Sequence, residues 1–159
     1  MANPLYDNLI GKHATNDACF LRQPGKPTVS FRQFSERTSQ VANLLLKHGL
    51  KPGDRVAVQA SKTIEMVILY GATIQAGGVF LSLNTDYKKD EISYFIKDAS
   101  PKIFVCDPQK RKELEDIADQ VGSQVLTLDK DGQGSLQSQA NMLSKTFNTI
   151  DRGPDDLVA

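Results

Sequence analysis

Two cysteines and two histidines are all the thiol and imidazole groups in this chain of 159 residues. Cys19 and Cys106 stand far apart, in neither CxxC nor mixed Cys/His spacing, so a metal site or a disulfide framework is unsupported and a reducing cytoplasm fits. Charge of one sign is missing too, since 19 lysines and arginines balance 19 aspartates and glutamates. Nucleic-acid binding needs a basic footprint from which counterions are released, and this balance argues against it. Long apolar runs are absent as well. Met66–Ile74 is too short to span a bilayer and contains Gly71, while Met1–Ile10 is mixed polar without the apolar centre of a signal peptide. The expectation is a soluble cytoplasmic protein with no nucleic-acid partner and no membrane partner. Of its residues 40% are apolar, and a chain of this size buries roughly 70% of its unfolded surface, enough for a core without staples.

Turn signals and hydrophobic periodicity divide the chain. Ala18–Arg22 and Thr28–Phe31 read as the strands of a hairpin around the turn Gln23–Pro27. Ser30 and Gln33 have capping-box spacing, and Val29 and Phe34 have hydrophobic-staple spacing, so a helix starts at Ser30. Phe34, Val41, Leu44 and Leu45 keep its period until Gly49. Strands and helices then alternate. Val56–Ala60 is followed by a helix capped at Ser61 and stopped by Gly77-Gly78, then by Val79–Leu83, the loop Asn84–Tyr87 and a helix near Glu91–Asp98. Lys102–Cys106 leads into a helix with Asp107 as N-cap and Pro108 in its first turn, running to Gly122. Gln124–Leu128 is the fourth strand of this series, Lys130–Ser135 is a loop, and Leu136–Leu143 is the last helix. Continuous Val/Ile/Leu/Phe runs separated by helices predict an α/β fold: a doubly wound, mainly parallel sheet with helices on both faces, preceded by a short β-hairpin. Ligands of such sheets gather at the carboxyl ends of strands, which carry Ser61, Asn84-Thr85 and Asp107.

The chemistry common in such sheets lacks its residues. There is no GxxxxGK[ST] loop, and Gln59–Thr63, where a dinucleotide fingerprint would lie, contains no glycine. Gly77-Gly78 precedes a strand and reads as a helix stop, and Gly132–Ser135 reads as a turn. Asp107 could pass for the aspartate of a receiver domain, but no acid ends the first parallel strand, and the helix-cap reading is preferred. Lys110–Lys112 reads as the solvated face of a helix rather than a phosphate patch. Cys106 lies in an apolar strand without a neighbouring base, His13 lies in the polar leader, and His48 sits where a helix dipole favours it. No catalytic machinery is visible.

Four strings then resemble one family in order and spacing. Val29-Ser30-Phe31-Arg32-Gln33-Phe34 is similar to the string that opens adenylate-forming enzymes, and Leu50–Val58 to the turn and strand that follow it. Ile74–Asn84 resembles the family's K-A-G-G-x-(Y/F)-x-P-L-N segment, and Glu91–Val105 its E-(L/I)-x-Y-x-(L/I)-x-D-(A/S)-x-(P/A)-K pattern. The resemblance runs from about Val29 to Ala159, and Leu83–Tyr87, Pro101–Pro108 and Gly134–Leu136 lean toward malonyl-CoA synthetases. Ser82 departs from the family's usual proline. Lys88 stands where a capping oxygen is expected, a loss of roughly 1 kcal/mol.

The resemblance implies the amino-terminal piece of an acyl-CoA synthetase: residues 1–16 a leader, 17–148 an α/β subdomain of the large domain, and 149–159 the lead-in to a phosphate loop that would follow Ala159. It implies that the whole enzyme joins malonate or methylmalonate to coenzyme A with ATP and Mg²⁺, through an acyl-adenylate. No catalytic, cofactor-binding or metal residue is expected in this chain, which binds none of these groups and is inactive alone. Asn84, Thr85 and Tyr87 are rim candidates, read either as a packed turn or as the lining of an acyl or pantetheine entrance. The expected partner is the remainder of the synthetase, with self-association through an exposed apolar face. The alternatives are a synthetase for other short or medium-chain acids, a stand-alone α/β binding module, and a flavodoxin-like domain with a small ligand.

Overall fold

A computed structural model describes residues 3–159. The leader begins with the short helix α1 (Pro4–Leu9). Asn3 caps it, its side-chain oxygen accepting from the Tyr6 N–H at 3.2 Å, and Pro4 occupies the first turn, where no N–H is needed. Tyr6 and Ile10 sink into the core, and burial raises the pKa of the Tyr6 hydroxyl above its ordinary value. The hairpin follows as β1 (Cys19–Leu21) and β2 (Val29–Ser30), antiparallel, with Cys19 opposite Ser30 and Leu21 opposite Val29.

Helix α2 (Phe31–Lys47) starts through the predicted capping box: Ser30 Oγ accepts from the Gln33 N–H at 3.2 Å, and Gln33 Oε1 accepts from the Ser30 N–H at 2.9 Å. With Ser30 as cap, Phe31 becomes the first helical residue rather than the last of the hairpin. Gly49, at φ +84°, stops the helix in the left-handed conformation that only glycine adopts without strain.

The sheet is built from β3 (Arg55–Gln59), β4 (Val79–Ser82), β5 (Ile103–Cys106) and β6 (Gln124–Thr127), joined by α3 (Ile64–Gln75), α4 (Lys89–Ala99) and α5 (Arg111–Gln120). All its pairings are parallel, in the order β4-β3-β5-β6. Side chains alternate between two buried faces. Val56, Val58, Ile103 and Val105 share a core with α2, α3 and the final helix α6 (Ser135–Ala140), whereas Ala57, Phe104 and Cys106 pack with Ile92 and Ile96 of α4 and Leu114 and Ile117 of α5. Covering both faces is why the central residues of these strands are apolar on either side. Among the described residues no helix is long and apolar enough to cross a membrane.

Local boundaries correct three expectations. Thr63, not Ser61, caps α3, its hydroxyl accepting from the Met66 N–H at 3.2 Å. Either residue type serves, and the path from β3 to the helix decides which backbone is extended at the right point. Asp107 is not a helix cap: its carboxylate accepts from the Gln109 N–H at 2.8 Å and closes a turn two residues on, so Pro108 lies in that turn and α5 begins at Arg111. Helix α6 ends at Ala140 instead of Leu143. At Lys88 the missing cap oxygen is answered from the other direction, since the Glu91 carboxylate accepts from the Lys88 N–H at 2.8 Å.

Candidate functional site

From β3 the chain moves to one side to form β4, then crosses back to β5 on the other side. Where connections diverge in this way, a crevice opens beyond the carboxyl ends of the two strands. Gln59 ends β3 on one side of it and Asp107 follows β5 on the other, with Ser61, Thr85 and Lys110 completing a crevice of about 230 Å³. A second cavity of about 440 Å³ continues along Thr85, Tyr87, Lys88, Lys110 and Glu113. Lys110 stands between them and donates from Nζ to the Thr85 carbonyl at 3.0 Å.

The rim loop after β4 is fastened from below. Gln59 is 1% exposed, and its Nε2 reaches the carbonyls of Asn84 at 2.9 Å and Tyr87 at 3.3 Å. Its Oε1 is buried and accepts no hydrogen bond from the described residues. Asn84 folds its own side chain back, Oδ1 accepting from the Asp86 N–H at 3.0 Å, which makes an Asx turn. Tyr87 stacks on Phe95 with ring centroids 5.1 Å apart, and Tyr94 meets the same ring edge-on at 5.5 Å. Asn84 and Thr85 are exposed and Tyr87 is half-buried. The loop is therefore a packed turn whose outer surface faces the larger cavity.

The charges around that cavity are mixed: Lys88, Lys89 and Lys110 face Asp86, Asp90 and Glu113. No cluster of three or more metal-ligating side chains occurs among the described residues. The turn after β3 has no glycine to let a backbone close around phosphates, and Lys110 is already engaged. These residues do not fit the triphosphate of ATP. Cys106 is fully buried, and burial pushes its thiol up to about 11, so it remains an unreactive core residue. His48 pairs with the Gln139 side chain at 3.1 Å and His13 lies against Phe31, and neither lines the crevice.

Sequence reasoning missed Gln59 and Lys110 as members of the site. A glutamine closing an otherwise apolar strand was the available signal for Gln59. The run Lys110–Lys112 reads in sequence as a helix face, yet Lys110 precedes the helix and bends toward Thr85 while Lys112 stays exposed.

This geometry defines a doubly wound α/β unit with an open crevice at its switch point. The chain belongs to the AMP-binding enzyme family, whose model matches residues 11–159. MatB from Rhodopseudomonas palustris, solved without ligand and with ATP bound, is 45% identical and superposes with a TM-score of 0.95, covering 98% of this chain and 31% of that one. An acyl-CoA synthetase of Brucella canis shares the fold at 18% identity and a TM-score of 0.83, covering 96% of this chain and 30% of that one. Among curated proteins, tyrocidine synthase 2 of Brevibacillus parabrevis is 34% identical over 115 residues, 72% of this chain and 3% of that protein. The chain thus spans under a third of the solved structures it matches and a far smaller share of the curated relatives.

Proposed function

We propose that the chain is the amino-terminal part of an acyl-CoA synthetase acting on malonate or methylmalonate. The observation that carries this reading is the 45% identity to MatB over 98% of the chain, at a TM-score of 0.95, taken with the likeness of Leu83–Tyr87, Pro101–Pro108 and Gly134–Leu136 to malonyl-CoA synthetases. In the whole enzyme a carboxylate oxygen attacks the α-phosphorus of ATP and pyrophosphate leaves. The thiolate of coenzyme A then attacks the acyl carbon and AMP leaves. Charge stabilisation around these centres comes from residues outside this chain, which is inactive by itself and serves as a wall and scaffold. Asn84, Thr85 and Tyr87 belong to the rim of an acyl or pantetheine entrance, a role supported by the position of Thr85 and Tyr87 on an open cavity with Lys88 and Lys89 beside them.

The partner of this unit is the rest of the synthetase. An apolar groove along Met66, Val67, Tyr70 and Phe80 supports this, because Val67 is 40% exposed and the Phe80 N–H at the edge of β4 already donates to the Val158 carbonyl at 2.9 Å. Expressed alone, the unit self-associates through the same groove. The test is an assay of the longer protein for pyrophosphate release and thioester formation with malonate, methylmalonate and acetate. Activity with the dicarboxylates and little with acetate supports the reading; preference for acetate points to a synthetase of another short acid. A second reading, amino-acid adenylation, is favoured by curated relatives named as peptide synthetases, among them a phosphinothricin tripeptide synthetase. Pyrophosphate release that depends on an amino acid, without any CoA thioester, would replace the first reading by the second.

A further inference from the structure

The rim loop is anchored at each end by its neighbours in sequence. At one end the parallel ladder stops with Leu83, whose N–H donates to the Val58 carbonyl at 2.8 Å. At the other, Tyr87 stacks on Phe95 of α4, and the Glu91 carboxylate accepts from the Lys88 N–H. The Asx turn from Asn84 to Asp86 fixes the loop's own shape but ties it to nothing outside. Among the described residues, the hydrogen bonds that reach residues 84–87 from elsewhere in the fold come from Gln59, at the end of β3, and Lys110, beyond β5.

Both side chains hold the loop by its carbonyls. Gln59 Nε2 stands 2.9 Å from the Asn84 carbonyl, 3.3 Å from that of Tyr87 and 3.5 Å from that of Thr85. Three acceptors around one nitrogen fix which end of the amide faces the loop, because an oxygen in that place would meet only other oxygens. The consequence on the other side is a buried Oε1 without a donor. An apolar side chain closing β3 would orphan no oxygen, but it would leave the loop's carbonyls unheld. Lys110 adds a charged donor at 3.0 Å from the Thr85 carbonyl, and a charge-assisted bond is the stronger kind. Lys110 and Thr85 border both the crevice of about 230 Å³ and the cavity of about 440 Å³, so their bond runs where the two meet.

We infer that Gln59 and Lys110 are positioning residues, which set where the rim loop stands and separate the crevice beneath it from the larger cavity. Resting on the function proposed above, this makes the larger cavity the entrance and the crevice the space under its clamp.

Gln59→Met and Lys110→Met test this, because each keeps a side chain of similar reach and removes its donors. In the 159-residue chain, amide hydrogen exchange at Asp86 and Tyr87 is expected to be about threefold to tenfold faster in either variant, the range that one lost hydrogen bond gives. Exchange at Val105, inside the sheet, stays slow. Rim exchange that is unchanged in both variants, or accelerated no more than that of Val105, overturns the clamp. Lys110 lies outside the core, so its variant decides the question if Gln59→Met does not fold. In the longer synthetase the same substitutions raise several-fold the KM for coenzyme A or for the acid, whichever passes the rim, and leave the KM for ATP unchanged. Lys110→Arg, which keeps a donor for Thr85, returns the raised KM toward its original value. Faster rim exchange with both KM values unchanged, or with the ATP KM rising equally, overturns the positioning role. If the unsubstituted longer protein forms no thioester with any acid, the functional reading falls and the entrance with it, while the exchange result still judges the clamp.

Discussion

The sheet and the carboxyl-terminal strap, the irregular stretch of residues 141–159, solve the same problem by opposite means. In the sheet, β3, β4, β5 and β6 satisfy one another's backbone groups in continuous parallel ladders, and their side chains fill two dry faces. In the strap, backbone carbonyls are met one at a time by Gln40 and Asn43, from about 100 residues away in sequence. A ladder is cooperative and its loss is felt throughout the unit. A strap held by individual side chains loosens locally.

The contrast is sharpest in the sheet. Phe104 is fully buried between β5 and the α4/α5 face. Phe104→Ala is expected to cost about 3–5 kcal/mol by cavity formation, read from urea unfolding; a cost near that of a strap substitution would erase the distinction. Cys106, its neighbour-but-one in the same strand, is expected to resist maleimide until the unit unfolds, while exposed Cys19 reacts at once. Burial raises the Cys106 thiol from 9.0 to about 11. Its protonated form is therefore favoured in the folded state, and that contribution is full below pH 9 and declines as pH rises toward 11. Urea midpoints across that range should fall less in Cys106→Ala, once its cavity cost at neutral pH is subtracted.

Gln59 belongs to both worlds, ending a ladder and fastening a loop. Gln59→Glu is expected to cost about 3 kcal/mol at pH 8, because an ionised carboxylate faces the carbonyls of Asn84 and Tyr87 in a buried place. At acid pH the protonated group donates again, and unfolding at pH 5 should show a smaller loss. Ser30→Ala, which removes the cap of α2, is expected to lower stability by about 1 kcal/mol on the same measurement. The smallest effect is at the surface pair Arg32–Asp17, 2.6 Å apart. The hydrogen bond from Arg32 holds the Asp17 carboxyl below its usual range, so its contribution is present above the ordinary carboxylate pKa and is lost as pH falls through the lowered value. Arg32→Gln should return Asp17 to the ordinary range in a carboxyl NMR titration with little change in stability.

Much of the fold was legible because its signals are local. The runs Val56–Val58 and Ile103–Cys106, the turn at Gly25, the capping pair Ser30/Gln33 and the stop at Gly49 each act within a few residues. Legibility failed where several neighbours offered the same chemistry, as at Ser61 and Thr63, or where one side chain had two local uses, as at Asp107. In the site, the loop Asn84–Tyr87 was visible as the end of a strand, whereas Gln59 and Lys110 join it only through contacts across 25 residues or more.

By itself the sequence determined the alternation of strands and helices, the covered faces of the sheet and the resemblance to adenylate-forming enzymes, because periodicity, capping and motif order are written along the chain. Tertiary structure alone decided that Gln59 ties the rim, that Lys110 bridges two cavities and that Gln40 and Asn43 hold the strap. Those pairings depend on which distant backbone groups the fold leaves without partners, and no local pattern encodes that.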